Sequence, residues 1–151
     1  MPSLGRDLAF EVDPIFAMVN GAATAAGTGD ATANNGASIR KSLLDHRYEC
    51  LSFAISARAV LTATKTLSLA AKVEHSANGS SWTTLEDFGT AISLLGGDGG
   101  TTETGEAIVS VNLNEASDYV RLVLTPDLSA SGTDTATFAA VGLLSGADAR
   151  P

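Results

Sequence analysis

In several stretches of this chain apolar and polar residues alternate with a period of two, the pattern of a strand with one face on a core and one in water. The clearest is 66–85, TLSLAAKVEHSANGSSWTTL, where Leu67, Leu69, Ala71 and Val73 alternate with Ser68, Ala70, Lys72 and Glu74. Asn78-Gly79 then supplies two residues that tolerate positive φ, and a short return run ends at Leu85. The stretch therefore predicts a β-hairpin. Its register stays open. A two-residue type I′ loop sets Val73 opposite Thr84 and His75 opposite Trp82, whereas a three-residue loop with Gly79 as the left-handed bulge residue sets Ala71 opposite Leu85. A slip of one residue exchanges the faces of every side chain.

The same alternation predicts a strand over 48–60, with Leu51, Phe53, Ile55 and Ala57 against Ser52, Ala54, Ser56 and Arg58. Others follow over 107–113, over 119–125 with Val120, Leu122 and Leu124 on one face, and over 135–144. Pro126 is expected to end the strand before it. Residues 88–95 are apolar but ambiguous, and 96–105, GGDGGTTETG, read as a flexible loop. Leu43 and Leu44 are expected to cover one end of the core.

Residues 1–20 carry Leu8, Phe10, Val12, Ile15 and Phe16 among charges, and Pro14 should interrupt any continuous strand there. The segment is either a first strand along one edge of the core or an arm that docks on another subunit. Residues 21–38 are low-complexity Ala, Thr, Gly and Asn, which cannot fill a core and are expected to form a long loop. The chain thus divides into an N-terminal arm or edge strand (1–20), a low-complexity loop (21–38), a β domain (39–146) and a tail (147–151). Short strands, turn-rich connections and the lack of a helical pattern predict an antiparallel all-β domain. The expected architecture is a β-sandwich or jelly roll with an extended N-terminal segment.

Composition narrows the function. At 151 residues the chain is one domain by size, and much of its 44% hydrophobic content is alanine, with 5% aromatics, so the core must be thin and aliphatic. A net charge of −8 with scattered basic residues argues against nucleic acid. The lone Cys50 excludes an internal disulfide and sits in an apolar run that suits a small buried side chain. Residues 1–23 lack the basic start and continuous apolar stretch of a signal peptide, and no apolar run approaches the ~20 residues that span a bilayer. A protein made and kept, or assembled, in a cytoplasm is expected, with no membrane partner.

No set of residues points to catalysis. His46 and His75 have no carboxylate or cysteine spacing that makes a metal motif. No nucleophile elbow is present, Asp98 and Glu103 fall short of a calcium loop, and Glu74, Glu86 and Asp87 are expected to be solvated acids. Trp82 could be an exposed platform for a sugar ring or a core anchor, and so few aromatics favour the core. The reading is a non-enzymatic protein with no cofactor and no metal.

The runs 72–82, KVEHSANGSSW, and 118–126, DYVRLVLTP, with a small-residue final strand, resemble accessory capsid proteins of tailed bacteriophages. In those, a hairpin of the type S-x-[DN]-G-x-x-[WF] and a later Y-[VL]-R strand occur in a compact β domain. The likeness covers about 67–144, and the hairpin is also similar to that of carbohydrate-binding and discoidin-like sandwiches. The resemblance implies a head decoration, or cement, protein: a homotrimer on the outer capsid surface of the virion, assembled in the host cytoplasm and bridging major capsid proteins. Leu8, Phe10, Val12, Ile15 and Phe16 are the expected contact residues, and Asn78, Gly79 and Trp82 the structural turn. A tail or baseplate component, or a carbohydrate-binding module using Trp82 and Tyr119, are the rival expectations.

Overall fold

The alternation becomes pleat. In a computed structural model that describes residues 12–130 and 132–147, strand β4 (Cys50–Leu61) buries Leu51, Phe53, Ile55, Ala57, Ala59 and Leu61 and turns the residues between them outward. The other elements in chain order are β1 (Val12–Thr24), β2 (Asn34–Asn35), β3 (Ile39–Arg40), a 3-10 turn (Lys41–Leu43), β5 (Thr66–Ser76), β6 (Thr83–Leu95), β7 (Thr101–Asn112), β8 (Tyr119–Leu128) and β9 (Thr135–Ser145). They form two antiparallel sheets, one in the order β1-β9-β4-β7 and one in the order β2-β8-β5-β6, with β3 also on β8. With β2 and β3 taken as one interrupted strand, this is the eight-strand order of a jelly roll. Fully buried Phe53, Leu51, Ile55, Leu67, Leu69, Leu122 and Leu124 from both inner faces make the aliphatic core.

One long side of the sandwich is closed by backbone. The Gly36 N–H donates to Leu122 O (2.8 Å) and the Ala37 N–H to Ala17 O (2.7 Å), so residues 36–37 tie the two sheets together. A Cβ on Gly36 would lie 2.8 Å from Ala17 O and 2.9 Å from Leu122 O, and neither carbonyl can give way without losing its bond. Gly36→Ala is therefore expected to destabilise by about 1–3 kcal/mol, read as a shift in the urea midpoint.

Several expectations are corrected. Residues 21–38 are not one unstructured loop: β1 runs on to Thr24, Ala23 and Ala25 are buried, and Asp30 fixes the turn by accepting from Ala26 N–H and Leu128 N–H. Small side chains suit these fully enclosed places, and the Ala25 N–H donates to Asp134 O at 2.9 Å. Pro14 does not interrupt β1, because among the described residues β1 pairs on one side alone, with Pro14 opposite Leu143. Nor does Pro126 end β8. Leu128, two residues on, sends its N–H away from β5 to Asp30, so the N–H that Pro126 lacks falls on that same side, where β2 has already ended. Strand β7 begins at Thr101, which shortens the loop expected over 96–105, and 88–95 belongs to β6. Leu44 packs on the core while Leu43 is exposed.

The β5–β6 hairpin is real, but neither expected register holds. His75 faces Thr83 across a loop over 77–82. Asn78 Oδ1 accepts from the N–H groups of Ser80 and Ser81, and Ser76 Oγ from Gly79 N–H, which has φ +74°. Side-chain capping thus lengthens the loop beyond the two or three residues that backbone turn types alone require. Bulges in β6 then shift the pairing between Val73 and Glu74.

Candidate interaction surfaces

The outward faces of the two sheets differ in chemistry. On the β2-β8-β5-β6 side, Glu74 is buried and accepts from Arg121 Nε (3.0 Å) and Nη2 (2.8 Å), with Lys72 Nζ at 2.7 Å. Burial alone pushes the Glu74 carboxyl up, but hydrogen bonds and charge from Lys72 and Arg121 outweigh it and hold the group below its ordinary value. Half-buried Trp82 lies over the Arg121 guanidinium, 4.2 Å from ring centroid to Cζ. Trp82 is therefore not the core anchor expected of it: it roofs an ion cluster, and Arg121 occupies one of its faces. Glu74 is likewise not the solvated acid expected. Its proximity to Arg121 arises from the β5–β8 register, Glu74 opposite Arg121, a pairing between strands distant in sequence that no local pattern reveals.

The β1-β9-β4-β7 face carries almost no charge. A row across it runs Phe16, Val141, Ala54, Ile108, each opposite the next. Phe16, Val141 and Ile108 are 60%, 41% and 69% exposed. Beside it Pro14 pairs with Leu143, and Leu143 with Ser52. A groove of about 500 Å³ continues this surface, floored by Ser56, Thr137 and Ala139. Arg58 and Glu106 line it and are the charged residues among those described that point outward from these four strands. The described ion pairs involve neither.

Of the expected contact residues, Leu8 and Phe10 lie outside the described residues. Phe16 joins the apolar row, Val12 lies opposite Ser145 at its margin, and Ile15 points inward against the core. Cys50 is not the buried side chain expected; it is half-buried on the outward face of β4. Ile108, Val141, Arg58 and Glu106 were missed. The available signal was the run FAAVGLL in β9, where both parities are apolar, as they are in strands covered on two sides.

At one end, the segment 41–48 is pinned to the β7–β8 connection. Arg40 Nε and Ser42 N–H each donate to Asp118 at 2.9 Å, and Lys41 Nζ donates to Leu113 O and Ala116 O, both at 2.6 Å. Hydrogen bonds from Arg40 and Ser42 hold the Asp118 carboxyl below its ordinary value. A cleft of about 630 Å³ opens between this segment and β1, lined among others by Asp13, Leu44, His46 and Tyr48. The Tyr48 hydroxyl donates to Asp13 Oδ2, and His46 meets the Tyr48 ring edge-on. His75 Nδ1 accepts from Ser117 N–H at 3.0 Å. Among the described residues no group of three or more His, Cys, Asp or Glu is placed to hold a metal ion.

No family model matches the sequence, and no curated protein matches it. Solved structures do match in fold. A structure of infectious bursal disease virus, Gx strain, is 13% identical with a TM-score of 0.54, covering 99% of this chain and 38% of that one. The PBSX exported protein XepA is 16% identical with a TM-score of 0.44, covering 96% and 40%. Dimeric latent PorU from Porphyromonas gingivalis is 12% identical with a TM-score of 0.44, covering 91% and 13%. This chain therefore spans about two fifths of the first two chains. At 13% identity the likeness to the virus structure establishes a shared fold, the two-sheet jelly roll.

Proposed function

We propose that this chain is a non-enzymatic structural protein of a virion, and in particular a decoration protein that sits on the outer capsid surface and bridges major capsid proteins. The observation that carries the reading is the jelly-roll strand order, β1-β9-β4-β7 against β2-β8-β5-β6, which it has in common with a virus structure. Jelly rolls also build lectin and cupin domains, so the fold alone does not select the role. Two further features support it. The sequence runs around Asn78-Gly79 and Tyr119-Val120-Arg121 resemble tailed-phage accessory capsid proteins, and one sheet presents a partly apolar face whose only outward charges among the described residues are Arg58 and Glu106. Such a protein works through many modest contacts repeated by symmetry, which together hold strongly.

The test is occupancy on capsids that lack the protein. Full-length chain added to them is expected to bind to saturation at a fixed ratio to the major capsid protein and to raise the temperature at which the shell opens. Deleting residues 1–11, which carry Leu8 and Phe10 of the expected contact set and none of the residues of β1, is expected to lower occupancy. Failure of the full-length chain to bind any capsid surface would contradict the decoration role.

A further inference from the structure

We infer that the outward face of the β1-β9-β4-β7 sheet is an interface between copies of this chain, its occupant being the same face of a second copy. This deepens the proposal above by naming the surface that self-association would use. It rests on that reading only for the setting in which the copies meet, since the face is argued from this chain alone.

Three observations carry it. A sheet face meant for water alternates core residues with polar ones, yet here Phe16, Val141 and Ile108 stand exposed in one row with Ala54 between them. Isolated exposed apolar residues are ordinary; a contiguous row that reaches both edge strands of the sheet is the signature of a covered surface.

The second observation is charge. The chain carries −8 overall, so two copies repel wherever acidic surfaces meet. On this face one Arg and one Glu cancel, and copies can approach there without that penalty. The opposite sheet face is occupied by the Lys72, Glu74 and Arg121 cluster, whose charges already satisfy one another within the chain.

The third is self-complementarity. Arg58 lies opposite Thr104, two residues along β7 from Glu106, and both side chains are exposed with no ion-pair partner among the described residues. Each copy thus offers the cation that the other's Glu106 needs and the carboxylate that the other's Arg58 needs. Complementary charges around an apolar centre fix orientation, while the apolar row supplies the affinity.

Sedimentation velocity of the full chain, with no capsid present, tests this. Wild type is expected to self-associate, and Ile108→Lys and Phe16→Lys each to weaken association by about tenfold or more with circular dichroism unchanged. Leu95→Lys, at an apolar residue 63% exposed on the other sheet, is the control and should associate as wild type. Arg58→Glu alone should weaken association, and Arg58→Glu combined with Glu106→Arg should restore it. A chain monomeric up to about 1 mM, or association indifferent to Ile108→Lys and Phe16→Lys, would overturn the inference. Because no particle is involved, loss of capsid binding leaves this result standing, and a monomer that still decorates capsids refutes this inference alone.

Discussion

Phe53→Ala is expected to lower the unfolding free energy by about 3–5 kcal/mol, the range for emptying a fully enclosed aromatic site. Phe53 is 0% exposed on a strand paired along both edges, with Val109 opposite on β7 and Gly142 opposite on β9. The surrounding backbone is therefore held by two ladders and cannot collapse into the space. Urea unfolding should show a lower midpoint at unchanged slope. A loss below about 1 kcal/mol would mean that the inner faces do not meet as described.

The second large effect is expected at Glu74. Its carboxylate balances Arg121 and Lys72 beneath Trp82, and Glu74→Ala leaves two cations facing each other in a partly enclosed place. Removing one partner of a buried pair costs about 3–5 kcal/mol; because Arg121 and Lys72 keep some access to water, about 2–3 kcal/mol is expected here. The pH dependence follows from the direction of the shift. The folded carboxyl lies below its ordinary value of 4.5, so the unfolded chain takes up the proton first. The stabilisation is present above that value and is lost as pH falls through the lower, folded one. Wild type should therefore lose stability on acidification below about pH 4.5, and Glu74→Ala should show a shallower acid limb. Asp118 shifts in the same direction, but its side chain is half-exposed and its ion pair with Arg40 is open to water, so it adds little to that limb.

What could be read in the sequence was whatever depended on the inner faces. Leu67, Leu69 and Val73 in β5, Leu51, Phe53 and Ile55 in β4, and Val120, Leu122 and Leu124 in β8 alternate cleanly because each inward position meets the other sheet. The all-β class and the positions of the main strands along the chain follow from that pattern. The local rules failed where pairing geometry decides. Pro14 and Pro126 are tolerated because each lacks its N–H on a side without a ladder partner, and this is a property of topology, not of the dipeptide. Ala23 and Ala25 look like linker because what encloses them, including the turn closed by Thr24 N–H to Thr28 O and the bond from Ala25 N–H to Asp134 O, comes from the tertiary fold.

The candidate surface was legible in one residue and hidden in the rest. Phe16 stood out as an aromatic near the start, but Val141, Ala54 and Ile108 join it only through the registers of three strand pairs. Ile108 in AIVSV reads as one more core residue until Val109 and Val111 are seen to take the inward positions. Trp82 was misread for a related reason. Its burial comes from Arg121, which is brought to it by β8 rather than by any neighbour in sequence.

The virion role is tested most directly by quantitative mass spectrometry of purified particles, with this chain's copy number measured against the major capsid protein. A fixed, high ratio set by the shell's symmetry is the expected result. Complete absence from particles would contradict a structural role in the virion, and a handful of copies per particle would place the chain outside the capsid shell and contradict decoration.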